Sequence, residues 1–135
     1  MPARYLLDTN TASYIIKGNM PRVRESLRKV PVAEVAISVI TEAELRLGVL
    51  RRPDAKKLNT VVAEFLRFAE VKPWDSVAAL HYAQLRAALE DEGRPMGNLD
   101  IMIAAHALAL GLVLVTSDRV FSRVKGLTIE DWTRD

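Results

Sequence analysis

NLDIMIAAHALALGLVLVTSD, residues 98–118, is the stretch that decides the fold. Asp100 heads a segment apolar nearly all round, with Ile103, Ala104, Ala107 and Leu108 on one stripe, the pattern of a helix sunk among other elements. The run Leu112 to Thr116 then reads LVLVT, continuously apolar, as a strand covered by helices on both faces requires. We expect it at the centre of its sheet. Asp118 follows it by two residues.

Working outward, short β-type runs recur at Tyr5 to Leu7, Val35 to Val39 and, weakly, Leu127 to Ile129. Helical patterns alternate with them. One places Leu58, Val61, Val62, Phe65, Leu66 and Ala69 on a single stripe; another carries Ala78, Tyr82, Leu85 and Leu89 and ends near the loop EDEGRPMGN. A shorter helix starts near Pro21, with Val23, Leu27 and Val30 facing inward. Arg51, Arg52, Pro53 and Asp54 break one helix from the next. Alternation of this kind predicts an α/β fold with a central, mainly parallel sheet, formed as one domain over residues 1–135.

Composition excludes several classes. Half of the residues are hydrophobic and Gly and Pro number only 6 each, so a disordered or low-complexity chain is not indicated. The absence of cysteine removes disulfides, thiolate metal sites and a cysteine nucleophile together, and suits a reducing, cytoplasmic setting. The N-terminus, MPARYLLDTN, is too short in apolar residues for a signal-peptide core, and the run from Ala107 to Val115 falls short of a bilayer span. A net charge of +2 permits a nucleic-acid partner without demanding one.

Four carboxylates stand out among the 17 acids. Asp8 ends the first strand and Asp118 follows the LVLVT strand, and ligands of open α/β sheets collect beyond the carboxyl ends of strands. Asp100 places a charge at the head of a buried face, where it needs a partner. Glu44 lies on the stripe of Ile40, Leu47 and Gly48, whereas Glu42 stands four residues before Arg46 and can pair with it. Each has an ordinary explanation as well. Asp8 can start a turn, with Asn10 or Thr11 capping the next helix; Asp100 and Asp118 suit caps or first turns; Glu44 stands at capping-box spacing from Thr41. Caps alone do not account for all four together. If the four converge, their repulsion in a cleft calls for a cation, and an all-oxygen set without His or Cys suits Mg²⁺ or Mn²⁺. Ions so held cut phosphodiesters by activating water and neutralising charge on the phosphate.

In order along the chain, LLDTN, ISVITEAELRLGVLRR, GNLDIMIAAHALALG and LVTSDRVFSRVKGLTIEDW resemble the PIN-domain ribonucleases, and within them the VapC-type toxins of toxin-antitoxin pairs. The resemblance covers nearly the whole chain. It implies metal-binding or catalytic roles for Asp8, Glu44, Asp100 and Asp118, supported by Thr9, Asn10, Thr116 and Ser117. It also implies a three-layer α/β/α fold, an RNA substrate, a VapB-like antitoxin partner and a homodimer.

Other residues read more plainly. His81 and His106 lie on largely apolar helices without zinc-ligand spacing, and are expected to be structural. Arg51, Arg52, Lys56 and Lys57 form a basic patch able to steer an RNA backbone, or simply a solvated helix junction. Arg94 lies in a loop near Asp100, expected to be an ordinary connector. Trp74, Phe65 and Phe68 are expected in the core. A haloacid-dehalogenase-type phosphatase wants an acid two residues after Asp8, where Asn10 stands, and a receiver domain wants an early acidic pair. The remaining alternative is a PIN-like module that only binds RNA or protein, which has no need of four mutually repelling carboxylates.

Overall fold

The computed structural model describes residues 2–134. Five strands, β1 (Tyr5–Leu7), β2 (Val35–Ser38), β3 (Glu70–Lys72), β4 (Val113–Val115) and β5 (Ile129–Glu130), form one all-parallel sheet in the order β3-β2-β1-β4-β5. Six helices cover it: α1 (Thr9–Lys17), α2 (Pro21–Arg28), α3 (Val39–Arg51), α4 (Lys56–Phe68), α5 (Ser76–Asp91) and α6 (Asn98–Leu110). The central strand is β1. The LVLVT strand, β4, is interior but lies beside the centre, so the expectation of a central place for it is corrected. Continuous apolarity reports two covered faces, which β1 and β4 share, and carries no information on strand order.

The side chains of the sheet divide cleanly between its faces, as a period of two requires. Leu6, Ala36 and Leu114, aligned across β1, β2 and β4, pack with Ile103, Ala104 and Ala107 of α6 and with Phe121. Tyr5, Leu7, Ile37 and Val115 face the other way, against Val23 of α2, Trp132 and partly buried residues of α1 and α4. The result is a three-layer α/β/α arrangement. A third cluster, Ala12, Ile16, Leu45 and Val62, ties α1 to α3 and α4 beside the sheet.

Several local expectations shift. Val39 opens α3 instead of closing β2, because Ser38 is the N-cap, its Oγ accepting from the Ile40 amide at 3.0 Å. Thr41 therefore sits inside the helix, and the Thr41–Glu44 capping box is not formed. The Glu44 stripe is wetter than expected: Leu47 is 45% exposed, while Thr41 and Leu45 are the buried residues of α3. Glu42 does pair with Arg46, at 2.7 Å. Phe68, expected in the core, is 79% exposed at the end of α4, whereas Phe65 and Trp74 are half-buried. Trp74 hydrogen-bonds the Met102 carbonyl at 3.2 Å and packs edge-on to Tyr82.

His106 is fully buried and fully satisfied. Its Nε2 lies 3.1 Å from the Pro73 carbonyl, which only accepts, so Nε2 carries the proton. Nδ1 then accepts from the Ser38 hydroxyl at 2.8 Å. Burial holds its pKa below the usual histidine value of 6.5. The ring joins α6, the start of α3 and the segment before α5, which is the structural role expected of it. Among the described residues no helix is long and apolar enough to cross a membrane.

Candidate active site

Strand order explains where the acids meet. The chain runs from β1 outward through β2 to β3, then returns to the other side of β1 to lay down β4 and β5. The order thus reverses between β1 and β4, and in such sheets the crevice at the carboxyl ends of those two strands is where ligands bind. Asp8 follows β1 directly and Asp118 lies three residues beyond the last residue of β4.

Asp8, Glu44, Asp100 and Asp118 all line one cavity of about 80 Å³, together with Thr9, Asn10, Ile103 and Phe121. Asp8 is only 3% exposed and is itself the N-cap of α1, its Oδ1 accepting from the Thr11 amide at 2.8 Å. The cap anticipated at Asn10 or Thr11 is therefore placed too late in the chain. Asp118 caps the 3₁₀ turn Arg119–Arg123 by accepting from the Val120 amide at 3.0 Å. For these two residues capping and convergence hold together: the caps are what aim the carboxylates. Asp100 stands in the first turn of α6, with its Oδ2 close to the backbone of Gly97.

Glu44 is held from the β1 side. Thr9 Oγ1 donates to Glu44 Oε1 at 2.7 Å and lies 3.1 Å from the buried Thr41 hydroxyl. Thr116, buried at 2% exposure, accepts from the Asp118 amide at 3.0 Å. Thr9 and Asn10 line the cavity, Thr116 stands behind it, and Ser117, though next to Asp118, lines none of it. Thr41 and Phe121 were not anticipated. Thr41 hides behind Thr9, and Phe121 reaches the site only through the 3₁₀ turn.

The electrostatics agree with the geometry. Burial raises the pKa of Asp8 above the ordinary 3.8; the hydroxyls of Thr116 and Thr11 and the Thr11 amide pull it back, and the charge of Asp118 adds to the rise. Asp100 is raised first by burial and then by the charges of Asp118, Glu44 and Asp8. Among the described residues no lysine or arginine forms an ion pair with any of the four. The acids share a cavity, but among the described residues no three His, Cys, Asp or Glu side chains stand close enough to enclose a metal ion unaided.

Comparison with known proteins agrees with this arrangement. The PIN domain family matches residues 5–127. The chain is 39% identical over 130 residues to the tRNA(fMet)-specific endonuclease VapC of Salmonella typhimurium, covering 96% of this chain and 98% of that protein. Ribonuclease VapC2 of Haemophilus influenzae is 32% identical over 130 residues, with the same coverage. Among solved structures, DNA-bound VapBC from Salmonella typhimurium aligns with a TM-score of 0.89 at 39% identity, over 96% of this chain and 98% of that one. VapBC2 from Rickettsia felis, bound to a DNA fragment from its promoter, aligns with a TM-score of 0.86 at 32% identity, over 98% and 99%. With its strand order, its four converging acids and these near full-length matches, the chain belongs to the PIN-domain family and, within it, to the VapC proteins.

Proposed function

We propose that this chain is an endoribonuclease dependent on Mg²⁺ or Mn²⁺, acting as the toxin of a toxin-antitoxin pair and hydrolysing RNA phosphodiesters at the acidic cavity. The observation that carries the reading is the meeting of four carboxylates, from four separate segments, in one cavity with no cationic partner among the described residues. The donor set is all oxygen, which fits a hard divalent cation, and the open spacing leaves positions for the several waters such an ion keeps. Bound there, the ion would offset the charge of the phosphate and lower the pKa of a water.

The chain's own groups set the rest. Asp8 and Asp100 would be the principal ligands, each on a rigid mount: one on a cap at a strand end, the other in the first turn of a buried helix. Glu44, oriented by Thr9, would reach the ion through a water, and Asp118 would serve the outer side of the cavity. Thr116 fixes the loop that carries Asp118, while Ile103 and Phe121 close the floor against bulk water. Asn10 lies at the rim, where an RNA strand enters.

Relatives from Salmonella typhimurium and Shigella flexneri are named as tRNA(fMet)-specific, so tRNA is the first substrate to test. The VapBC complexes among the structural relatives support a VapB-like antitoxin as partner. A basic segment of it would be drawn to the acids, an inserted arginine meeting a carboxylate with two parallel bonds. Another cavity, of about 370 Å³ and lined by apolar residues including Ile15, Leu27, Phe65 and the exposed Val32 and Phe68, offers apolar surface to the same segment. Homodimerisation would use other exposed apolar residues, such as Leu50 on α3 and Leu80 on α5. A cytoplasmic location suits the cysteine-free composition and the proposed substrate. The test is incubation of the purified chain with bacterial tRNA in Mg²⁺, in Mn²⁺ and in EDTA, with and without the neighbouring antitoxin. Cleavage that needs the metal and stops with antitoxin supports the proposal; RNA binding without cleavage under every condition favours the binding-module reading.

A further inference from the structure

A second cavity, of about 240 Å³, adjoins the acidic one and shares Thr9, Asn10 and Glu44 with it. Its walls are α1, α3 and α4, and the Thr9–Glu44 hydrogen bond marks the end nearest the acids. From there Thr9, Ser13 and Lys17 follow at four-residue spacing along α1, and Glu44 and Gly48 along α3, with Arg52 at the C-cap just past the end of that helix. Residues so spaced share one helix face. The α1 wall therefore leads from the acids to Lys17 roughly 12 Å away along the helix, and Arg52 lines the cleft from the C-cap of α3. Among the described residues neither Lys17 nor Arg52 is in an ion pair. The interior is apolar, built by Ile16, Leu45, Val49 and Val62.

Gly48 is the anomaly in this cleft. It sits in the interior of a 13-residue helix, where only proline is less favourable. Its φ is not in the left-handed region, and a Cβ added there would meet nothing within 4 Å. Neither backbone conformation nor packing inside the chain calls for glycine. What its missing side chain leaves is room in the wall of the cleft.

We propose that this cleft receives the base of a nucleotide next to the scissile phosphodiester, with Gly48 making space for the ring and Lys17 and Arg52 attracting the adjoining phosphate. The inference rests on the ribonuclease reading above and extends it to a substrate subsite. An apolar interior suits the faces of a base, and the side-chain amide of Asn10 on the lining suits its edges, while Asn59 Nδ2 donates to the Arg52 carbonyl at 2.9 Å. The two cations disfavour the basic antitoxin segment as occupant.

The test compares wild type with Gly48→Ala, Gly48→Leu and the double variant Lys17→Ala/Arg52→Ala. Binding of fluorescein-labelled bacterial tRNA is followed by anisotropy in EDTA, cleavage in Mg²⁺, and molar mass by light scattering. Gly48→Ala gains thermal stability but loses part of its affinity, because its methyl group takes up room left for the ring. Gly48→Leu keeps its fold and mass but loses affinity on the order of tenfold to a hundredfold, the scale of one stacked base, with the loss in kcat/KM falling mainly on KM. The double variant flattens the dependence of log affinity on log salt by about one unit for each phosphate that the two cations neutralise in wild type. Wild-type tRNA binding by Gly48→Leu overturns the subsite and leaves the ribonuclease reading standing, as does a loss that comes with altered mass or affects antitoxin binding alone. A wild-type chain that neither binds nor cuts RNA overturns both.

Discussion

Replacing Asp8 separates its two jobs, holding α1 and supplying charge. Asp8→Asn keeps an oxygen where Asp8 Oδ1 accepts from the Thr11 amide at 2.8 Å, so the cap survives; Asp8→Ala removes it. Loss of such a cap costs about 1 kcal/mol, or about 3–5 °C in melting temperature for a domain of this size. The charge works in the opposite sense. Because burial raises the pKa of Asp8 in the folded state, the stability tied to this group is greatest below the unfolded value near 3.8 and is lost as pH rises through the folded value. Without metal, Asp8→Asn should therefore match wild type near pH 4 and equal or exceed it near pH 7.5. Asp8→Ala should lie below Asp8→Asn by the cap energy throughout. Added Mg²⁺ should reverse the order: at 10 mM, a site with a dissociation constant on the order of 1 mM gains about 1.4 kcal/mol, which Asp8→Asn forfeits. Urea unfolding followed by circular dichroism, from pH 4 to pH 8 in EDTA and then in Mg²⁺, reads each of these effects. An Asp8→Asn variant less stable than wild type at pH 7.5 in EDTA would refute the view that this carboxylate is a structural liability kept for its charge.

Further outcomes follow from the packing around the site. His106→Ala leaves the Ser38 hydroxyl and the Pro73 carbonyl without their partner and opens a cavity, and should cost about 2–4 kcal/mol in urea unfolding. Since the folded pKa of His106 lies below its unfolded value, its contribution is fully present above about pH 6.5 and is lost as pH falls; the fall in melting temperature between pH 7.5 and 5 should be shallower in that variant. Phe121→Ala, at a side chain 1% exposed beneath the acids, should cost about 3–5 kcal/mol by the same assay. Phe68→Ser, at a side chain 79% exposed, should change stability by no more than about 0.5 kcal/mol in thermal unfolding.

Much of this architecture is written in local pattern. β1 falls on Tyr5–Leu7 as expected, α2, α4 and α5 follow their apolar stripes, and the four acids chosen from strand ends and helix faces line one cavity. What escaped had no local signal. β3, three residues reading Glu-Val-Lys at the sheet edge, is too short and too polar to show a period, and it forms because β2 offers it a parallel partner. The reversal of strand order between β1 and β4, which creates the crevice, is a property of topology and leaves no trace in either strand's composition. Phe68 sits near the apolar stripe of α4 yet points to solvent at the last residue of the helix. The hydrogen bonds that orient the site, Thr9 to Glu44 and Ser38 to His106, join residues 35 and 68 positions apart, beyond the reach of any motif.

The most direct test of metal-dependent hydrolysis at the acidic cavity is the initial rate of tRNA cleavage by wild type, Asp8→Asn and Asp100→Asn across a Mg²⁺ and Mn²⁺ titration, with EDTA as zero. Wild type should saturate with metal and fall silent in EDTA. Each variant should lose at least about a hundredfold in rate, since residues merely behind a metal ligand already account for roughly 10- to 100-fold effects. EDTA-resistant cleavage at the wild-type rate by Asp8→Asn would contradict the account and leave the four acids as caps and first-turn residues of their helices.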